Sequence, residues 1–299
     1  MFSYGIAVGY ALFLWWFSTG VILYLDKRPA HTYRWSLLGA TALLLLSLLT
    51  LHAVRNTVTP FGAYLGFTAG VFSWAWMEMS YFMGLITGPR KAACPQGCGS
   101  WRRFWLAIQT SLYHELAIVA AGGLMVWITW GSPNQVGTWT FVILWWMRWS
   151  AKLNLFFGVP NLNEDWLPEH IRFLTSYLSK RPMNLLFPVS VSVSTVIMCL
   201  LVETALDLPP GRFAGTALML TATLLALGIL EHWLLVLPLA DAALWSWALD
   251  GTGRGSTPAA APGEEGVDAV GAASGRRAAG ASSRRARARI VLDSGLRSR

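Results

Sequence analysis

Seven runs of about twenty or more mostly apolar residues constrain this chain more than any other feature. They fall at about 3–25, 35–54, 61–87, 105–130, 137–157, 184–206 and 213–237. Crossing roughly 30 Å of hydrocarbon at a rise near 1.5 Å per residue takes about 20 apolar residues. Backbone polar groups find no water there, so each run must be helical throughout. A transmembrane β-barrel would need alternating segments of about ten residues, and the sequence has none. The connections read as turns: Asp26-Lys27-Arg28-Pro29, Thr87-Gly88-Pro89-Arg90, Gly131-Ser132-Pro133-Asn134 and Leu208-Pro209-Pro210-Gly211 all carry proline or glycine where a helix should stop. The fold class expected is all-α, a polytopic transmembrane bundle of seven spans.

Composition agrees with a lipid solvent. Charged residues make up 13% of the chain, about half the usual share in a soluble domain. Seventeen tryptophans fit the same reading, because indole rings favour the membrane–water boundary. Lysine and arginine then set the orientation. The first, third and fifth connections hold Lys27, Arg28, Arg34; Arg90, Lys91, Arg102, Arg103; and Arg172, Lys180, Arg181. The second, fourth and sixth hold only Arg55 and Arg212. By the positive-inside rule the N-terminus is periplasmic and the C-terminus cytoplasmic, which requires an odd number of spans.

Residues 1–249 are expected to form the transmembrane domain. The fifth connection is long, and within it Leu167, Ile171, Leu174 and Leu178 recur at helical spacing. An amphipathic helix over about 166–180, lying on the cytoplasmic membrane surface, is the expectation there. Residues 250–299 are rich in Gly, Ala, Ser, Pro and Arg and contain no aromatic residue. Such a segment cannot bury enough apolar area to offset ordering entropy, so it reads as a disordered tail. Nine of the 23 basic residues, and about half of the formal net charge of +8, belong to that tail. No nucleic-acid-binding motif accompanies it, and nucleic acid is set aside as a partner.

The informative residues are ionisable ones inside the spans: Glu78, His114, Glu115, Arg148, Lys152, Glu231 and His232. They come from four separate runs and fall in one layer, roughly 8 to 15 Å from the cytoplasmic ends. A charge at the centre of a lone helix costs about 2.5–3.5 kcal/mol on insertion scales, so such groups should face inward and pair. Arg148 and Lys152 stand four apart on one helix face and are expected to point at the same carboxylates. The plain reading is an ion-pair network that fixes helix packing. The functional reading is a ligand or partner site. Three carboxylates against two cations leave a surplus negative charge that a metal or cationic ligand could take up. The histidines and carboxylates suffice in type for a metal site, and a neutral histidine could instead ligate a chlorophyll-type magnesium.

Cys94 and Cys98 flank a short turn between two pairs of basic residues. Nearby cations lower a thiol pKa, so they are candidate redox or metal thiols. The alternative is an ordinary tight turn. Paired tryptophans such as Trp15-Trp16 and Trp145-Trp146 could flank a flat pigment ring, although belt and packing roles are commoner.

Several motifs together are similar to one family. Tyr113-His114-Glu115-Leu116-Ala117-Ile118, Asn134-Gln135-Val136-Gly137-Thr138-Trp139-Thr140-Phe141 and Arg181-Pro182-Met183-Asn184-Leu185-Leu186-Phe187-Pro188 resemble the photosynthetic complex assembly proteins of the PuhE type. So do Thr87-Gly88-Pro89-Arg90 with Cys94-Pro95 and Cys98, the stretch 148–170, and Leu230-Glu231-His232-Trp233. The resemblance runs over about residues 1–245 and leaves out the tail. It implies a multi-pass protein of the bacterial inner (intracytoplasmic) membrane. Its partners would be the lipid bilayer and photosynthetic complex subunits or other assembly factors. Reaction-centre and light-harvesting assembly, or bacteriochlorophyll supply with binding of that pigment or a precursor, would be its process. Two other readings compete: an intramembrane enzyme of pigment or lipid metabolism using the His/Glu layer, and a transporter for a pigment precursor or ion. No nucleophile elbow, P-loop or dinucleotide fingerprint is present. The absence of internal repeats weighs against a transporter.

Overall fold

A computed structural model describes residues 2–162, 167–237 and 244–249. Seven long α-helices dominate it: α1 (Phe2–Asp26), α2 (Tyr33–Val54), α3 (Pro60–Phe82), α4 (Ser100–Thr129), α5 (Val136–Phe157), α6 (Leu186–Leu206) and α7 (Phe213–Leu234), with a short α8 (Ser246–Leu249). Among the described residues there is no strand, only an isolated bridge between Val159 and Lys180. The segment 250–299, expected as a disordered tail, lies outside the described residues.

Each long helix has at least 21 residues, enough at about 1.5 Å per residue to cross the hydrocarbon. Five are also apolar enough to qualify as membrane spans: α1, α2, α4, α6 and α7. The two that fall short, α3 and α5, run through the middle of the bundle. There α3 packs on α1, α2, α5 and α7. Helices screened by other helices can bury Glu78, Ser80, Tyr81 and Asn154, and hold Arg148 and Lys152 partly buried.

Small residues hold these two centres together. A Cβ placed at Gly70 of α3 would lie 2.6 Å from the Gly137 carbonyl of α5, and one at Gly137 would lie 2.7 Å from the Gly66 carbonyl. The two backbones therefore touch directly, as close-packed membrane helices do. One core cluster joins the N-terminal halves of α1, α3, α5 and α7 through Tyr4, Ala63, Val136 and Met219. These four helices run parallel, and their C-terminal ends meet at the opposite end of the bundle.

The outer faces are apolar. On α2, Leu38, Leu45 and Leu49 are exposed, and on α6 so are Val189, Val193, Val196 and Leu200. Patches of this extent suit a lipid bilayer rather than water. Exposed Trp105 and Trp127 on α4 lie about 33 Å apart along the axis, near the spacing of two membrane interfaces.

Asparagines close the helix ends. Asn134, 2% exposed, donates to the carbonyls of Val54, Thr57 and Gly62 at 3.0–3.2 Å, tying the end of α2 and the start of α3 to the start of α5. Asn184 Oδ1 accepts from the Leu186 and Phe187 N–H groups at the start of α6. Its amide donates to the carbonyls of Asn154 and Gly158. Two of the sequence motifs thus work in part as caps for otherwise unpaired backbone groups.

Three boundaries differ from expectation. The third run stops as a helix at Phe82, and the chain turns through Gly84, whose φ of 77° favours glycine. The fourth helix begins at Ser100, well before the apolar run. The expected amphipathic helix at about 166–180 is instead 3-10 in type over Glu169–Tyr177. Three residues per turn line up Ile171, Leu174 and Tyr177, and Ile171 and Tyr177 are buried. Polar bonds fasten this segment to the third connection: Arg90 Nε donates to the Tyr177 hydroxyl at 2.6 Å, and that hydroxyl donates to the Ala92 carbonyl at 2.8 Å.

Candidate functional site

The charged layer resolves into two ion pairs on either side of α5. Arg148 pairs with Glu78 of α3 at 3.0 Å. Lys152 pairs with Glu115 of α4 at 2.6 Å. The two cations, expected on the same carboxylates, thus serve different ones. Four residues of an α-helix advance about 40° past a full turn. Over the length of two long side chains, that offset sends one toward α3 and the other toward α4. An aromatic wedge from the end of α3 lies against both cations. The Arg148 guanidinium sits 5.4 Å from the Phe82 ring centroid, and the Lys152 ammonium 5.2 Å from that of Tyr81. Both contacts are of cation–π type.

The pair on the α4 side is closed. Glu115 Oε1 takes the Lys152 ammonium, and Oε2 accepts from Trp149 Nε1 at 2.6 Å. The pair on the other side is open. Glu78 Oε1 is buried and has no hydrogen-bond partner among the described residues, and neither has Arg148 Nε. Both residues line a cavity of about 310 Å³ between α1, α3, α5 and α7, at the low end of ligand-sized pockets. Its walls are largely apolar, with Trp15, Trp74 and Trp245 among them.

Glu231 of α7 joins this cavity, held by a 2.9 Å bond from Trp15 Nε1 to its Oε1. Its neighbour His232 points elsewhere, since adjacent helical residues diverge by about 100°. His232 Nδ1 donates to the Gly228 carbonyl at 2.8 Å, which leaves Nε2 to accept from the Ser150 hydroxyl, also at 2.8 Å. Both ring nitrogens are used within the protein, so His232 is a packing residue between α7 and α5. His114 is likewise apart from Glu115. It is 0% exposed, packs against Tyr81 with ring centroids 4.7 Å apart and planes tilted by 39°, and has no hydrogen-bond partner for either nitrogen among the described residues. Of the seven residues expected in one layer, three share the cavity: Glu78, Arg148 and Glu231. Glu115 and Lys152 form the closed pair, and the histidines stand separately. Among the described residues, no group of three or more His, Cys, Asp or Glu side chains is placed to hold a metal ion.

Cys94 and Cys98 are free and partly exposed. They lie in a turn where the Cys98 N–H meets the Pro95 carbonyl at 3.4 Å and Gly97 has φ 72°. The cationic neighbours were expected to lower the thiol pKa. The Cys94 thiol is instead raised, first by burial and then by its hydrogen bond to Cys98, against the opposing pull of Arg103 and Arg90.

Sequence reasoning passed over Asp26, read there only as part of a turn. It is the last residue of α1, 7% exposed, and its carbonyl accepts from the Tyr33 hydroxyl at 2.6 Å. The available signal was positional. Asp26, Glu78 and Glu231 all stand at or within a few residues of the C-terminal ends of their helices, where the helix dipole disfavours acids.

A model of the family described as "Protein of unknown function (DUF3623)" matches residues 1–255. The chain is 38% identical over 245 residues to an uncharacterized 30.4 kDa protein in the puhA 5′ region of Rhodobacter capsulatus, covering 80% of this chain and 88% of the relative. No solved structure matches it.

Proposed function

The chain belongs to the DUF3623 family, and on that premise we propose that it is an integral-membrane assembly factor for bacterial photosynthetic complexes. It serves reaction-centre and light-harvesting biogenesis or the supply of bacteriochlorophyll. The relative's place in a puhA 5′ region supports this process, as do the motifs at 113–118, 134–141 and 181–188. The observation that carries the reading is the cavity where Glu78, Arg148 and Glu231 meet. A buried, half-satisfied polar group inside an otherwise apolar bundle is costly, and ionisable residues at membrane depth are functional by default.

In this reading all seven long helices cross a bacterial inner membrane, α3 and α5 included, with the N-terminus periplasmic and residues 250–299 cytoplasmic. The Lys/Arg asymmetry of the connections supports that orientation. The cavity then opens toward the cytoplasmic half of the bilayer, where new subunits and pigment are handled. The Glu115–Lys152 pair, His114 and His232 serve packing, and Cys94 and Cys98 lie on the cytoplasmic face with reduced thiols.

Deletion of the gene in a phototroph, followed by complementation with Arg148→Ala, Glu231→Gln or Lys152→Ala, tests the reading. Reaction-centre and light-harvesting absorbance should fall with the first two variants, at equal levels of the protein, and recover with the third. Full recovery with all three would leave the cavity with no part in assembly. Accumulation of one chemically altered pigment intermediate would instead make the protein an enzyme of pigment metabolism.

A further inference from the structure

Three acids stand where the ends of parallel helices meet. Asp26 closes α1, Glu78 lies four residues short of the end of α3, and Glu231 lies three short of the end of α7. Basic residues usually occupy such positions, because the C-terminal carbonyls already carry partial negative charge. Here the last turns of α1, α3 and α5 hold none. Among the described residues lining the cavity, Arg148 is the one cation, set against Glu78 and Glu231. Glu78 is 8% exposed, and its Oε1 accepts nothing from the protein among the described residues. Glu231 has one oxygen on Trp15. The polar end of this cavity therefore sets two carboxylates against one cation and leaves one acceptor, Glu78 Oε1, and one donor, Arg148 Nε, unpaired among the described residues, while most of the remaining wall is aromatic and aliphatic.

Resting on the reading of this cavity as the working site, we infer that it binds an amphiphile with a protonated amine head and an apolar body. The head donates to Glu78 Oε1 and to Glu231, and the tail lies between α1, α5 and α7 beside Trp15 and Trp245. An anionic head could accept from Arg148 Nε but would also face two carboxylates and the negative ends of the helices, a net repulsion. A neutral hydroxyl could donate one bond but would leave the charge deficit in place.

Purified full-length protein in mild detergent, titrated with decylamine, decanol or decanoate at neutral pH, separates these heads on one tail. Native mass spectrometry reads the bound fraction. Decylamine should bind one to one, about tenfold or more tighter than either partner, the size expected of one charge-assisted hydrogen bond. Glu231→Gln and Glu78→Gln should each weaken decylamine by a similar factor. Glu203→Gln, an equal charge change at the exposed far end of α6, should not. Equal binding of all three heads, a preference for decanoate, or decylamine binding indifferent to both cavity variants would overturn the inference. Amine binding with no effect of the same variants on complex levels in cells would keep the inference and remove the assembly role.

Discussion

The two sides of α5 hold the same chemistry in different states. Toward α4, Glu115 meets Lys152 and Trp149, and both carboxylate oxygens are filled. Toward α3 and α7, Glu78 meets Arg148 with one oxygen only, and the other is buried beside a cavity. One turn of helix separates the two cations, so depth in the bundle cannot account for the difference. Surroundings do. Bundle side chains satisfy the first pair completely, which is what a structural lock requires. The second keeps unused capacity next to a third acid, an arrangement that suits a ligand.

This contrast can be broken in several ways. The largest effect should come from Arg148→Ala, which leaves Glu78 as a buried charge with no partner. Thermal unfolding in detergent should show a loss of about 3 kcal/mol. A loss near zero would mean that Glu78 was already neutralised by other means. Next, Gly137→Leu forces α5 away from α3, where backbone already meets backbone. It should cost about 2 kcal/mol and disturb the Arg148 pair, while a crosslink between positions 115 and 152 still forms. Smaller again is Lys152→Ala, at about 1 kcal/mol, because Glu115 keeps its tryptophan donor.

The smallest effect lies in the third connection and asks whether its cations rule the local chemistry as strongly as those in the bundle. The raised Cys94 thiol is mostly protonated at neutral pH, so alkylation by iodoacetamide should be slow there. The rate should climb as the pH passes the ordinary thiol range. Fast labelling at neutral pH would show that Arg90 and Arg103 outweigh burial and the Cys98 bond.

Much of the architecture was legible because lipid imposes a simple requirement. Long apolar runs and Pro/Gly breaks located the seven helices, although two of them turned out too polar to qualify by hydropathy. Those two, α3 and α5, are shielded by neighbours, and shielding depends on helix order around the bundle, which a linear pattern does not encode. The candidate site was half legible. Depth along the chain singled out Glu78, Arg148 and Glu231, but the same argument gathered in His114 and His232, which face other ways. Spacing i, i+4 suggested a shared target for Arg148 and Lys152, and the 40° offset decided otherwise. Gly66 and Gly70 carry a further signal of the α3–α5 contact, since glycines four apart mark the face where helices touch. Asp26 was hidden by its place in a charged turn, where a solvated role is the usual one. The 3-10 segment is not legible from the pattern, because Ile171, Leu174 and Tyr177 fit a three-residue period as readily as Leu167, Ile171, Leu174 and Leu178 fit a longer one.

Double-mutant cycles on the bundle's unfolding free energy test the division into two pairs most directly. Glu78 with Arg148, and Glu115 with Lys152, should each couple by about 1 kcal/mol or more, while Glu78 with Lys152 should be additive to within about 0.5 kcal/mol. Comparable coupling across all three combinations would mean a single network around α5, and the distinction between a lock and an open cavity would fall with it.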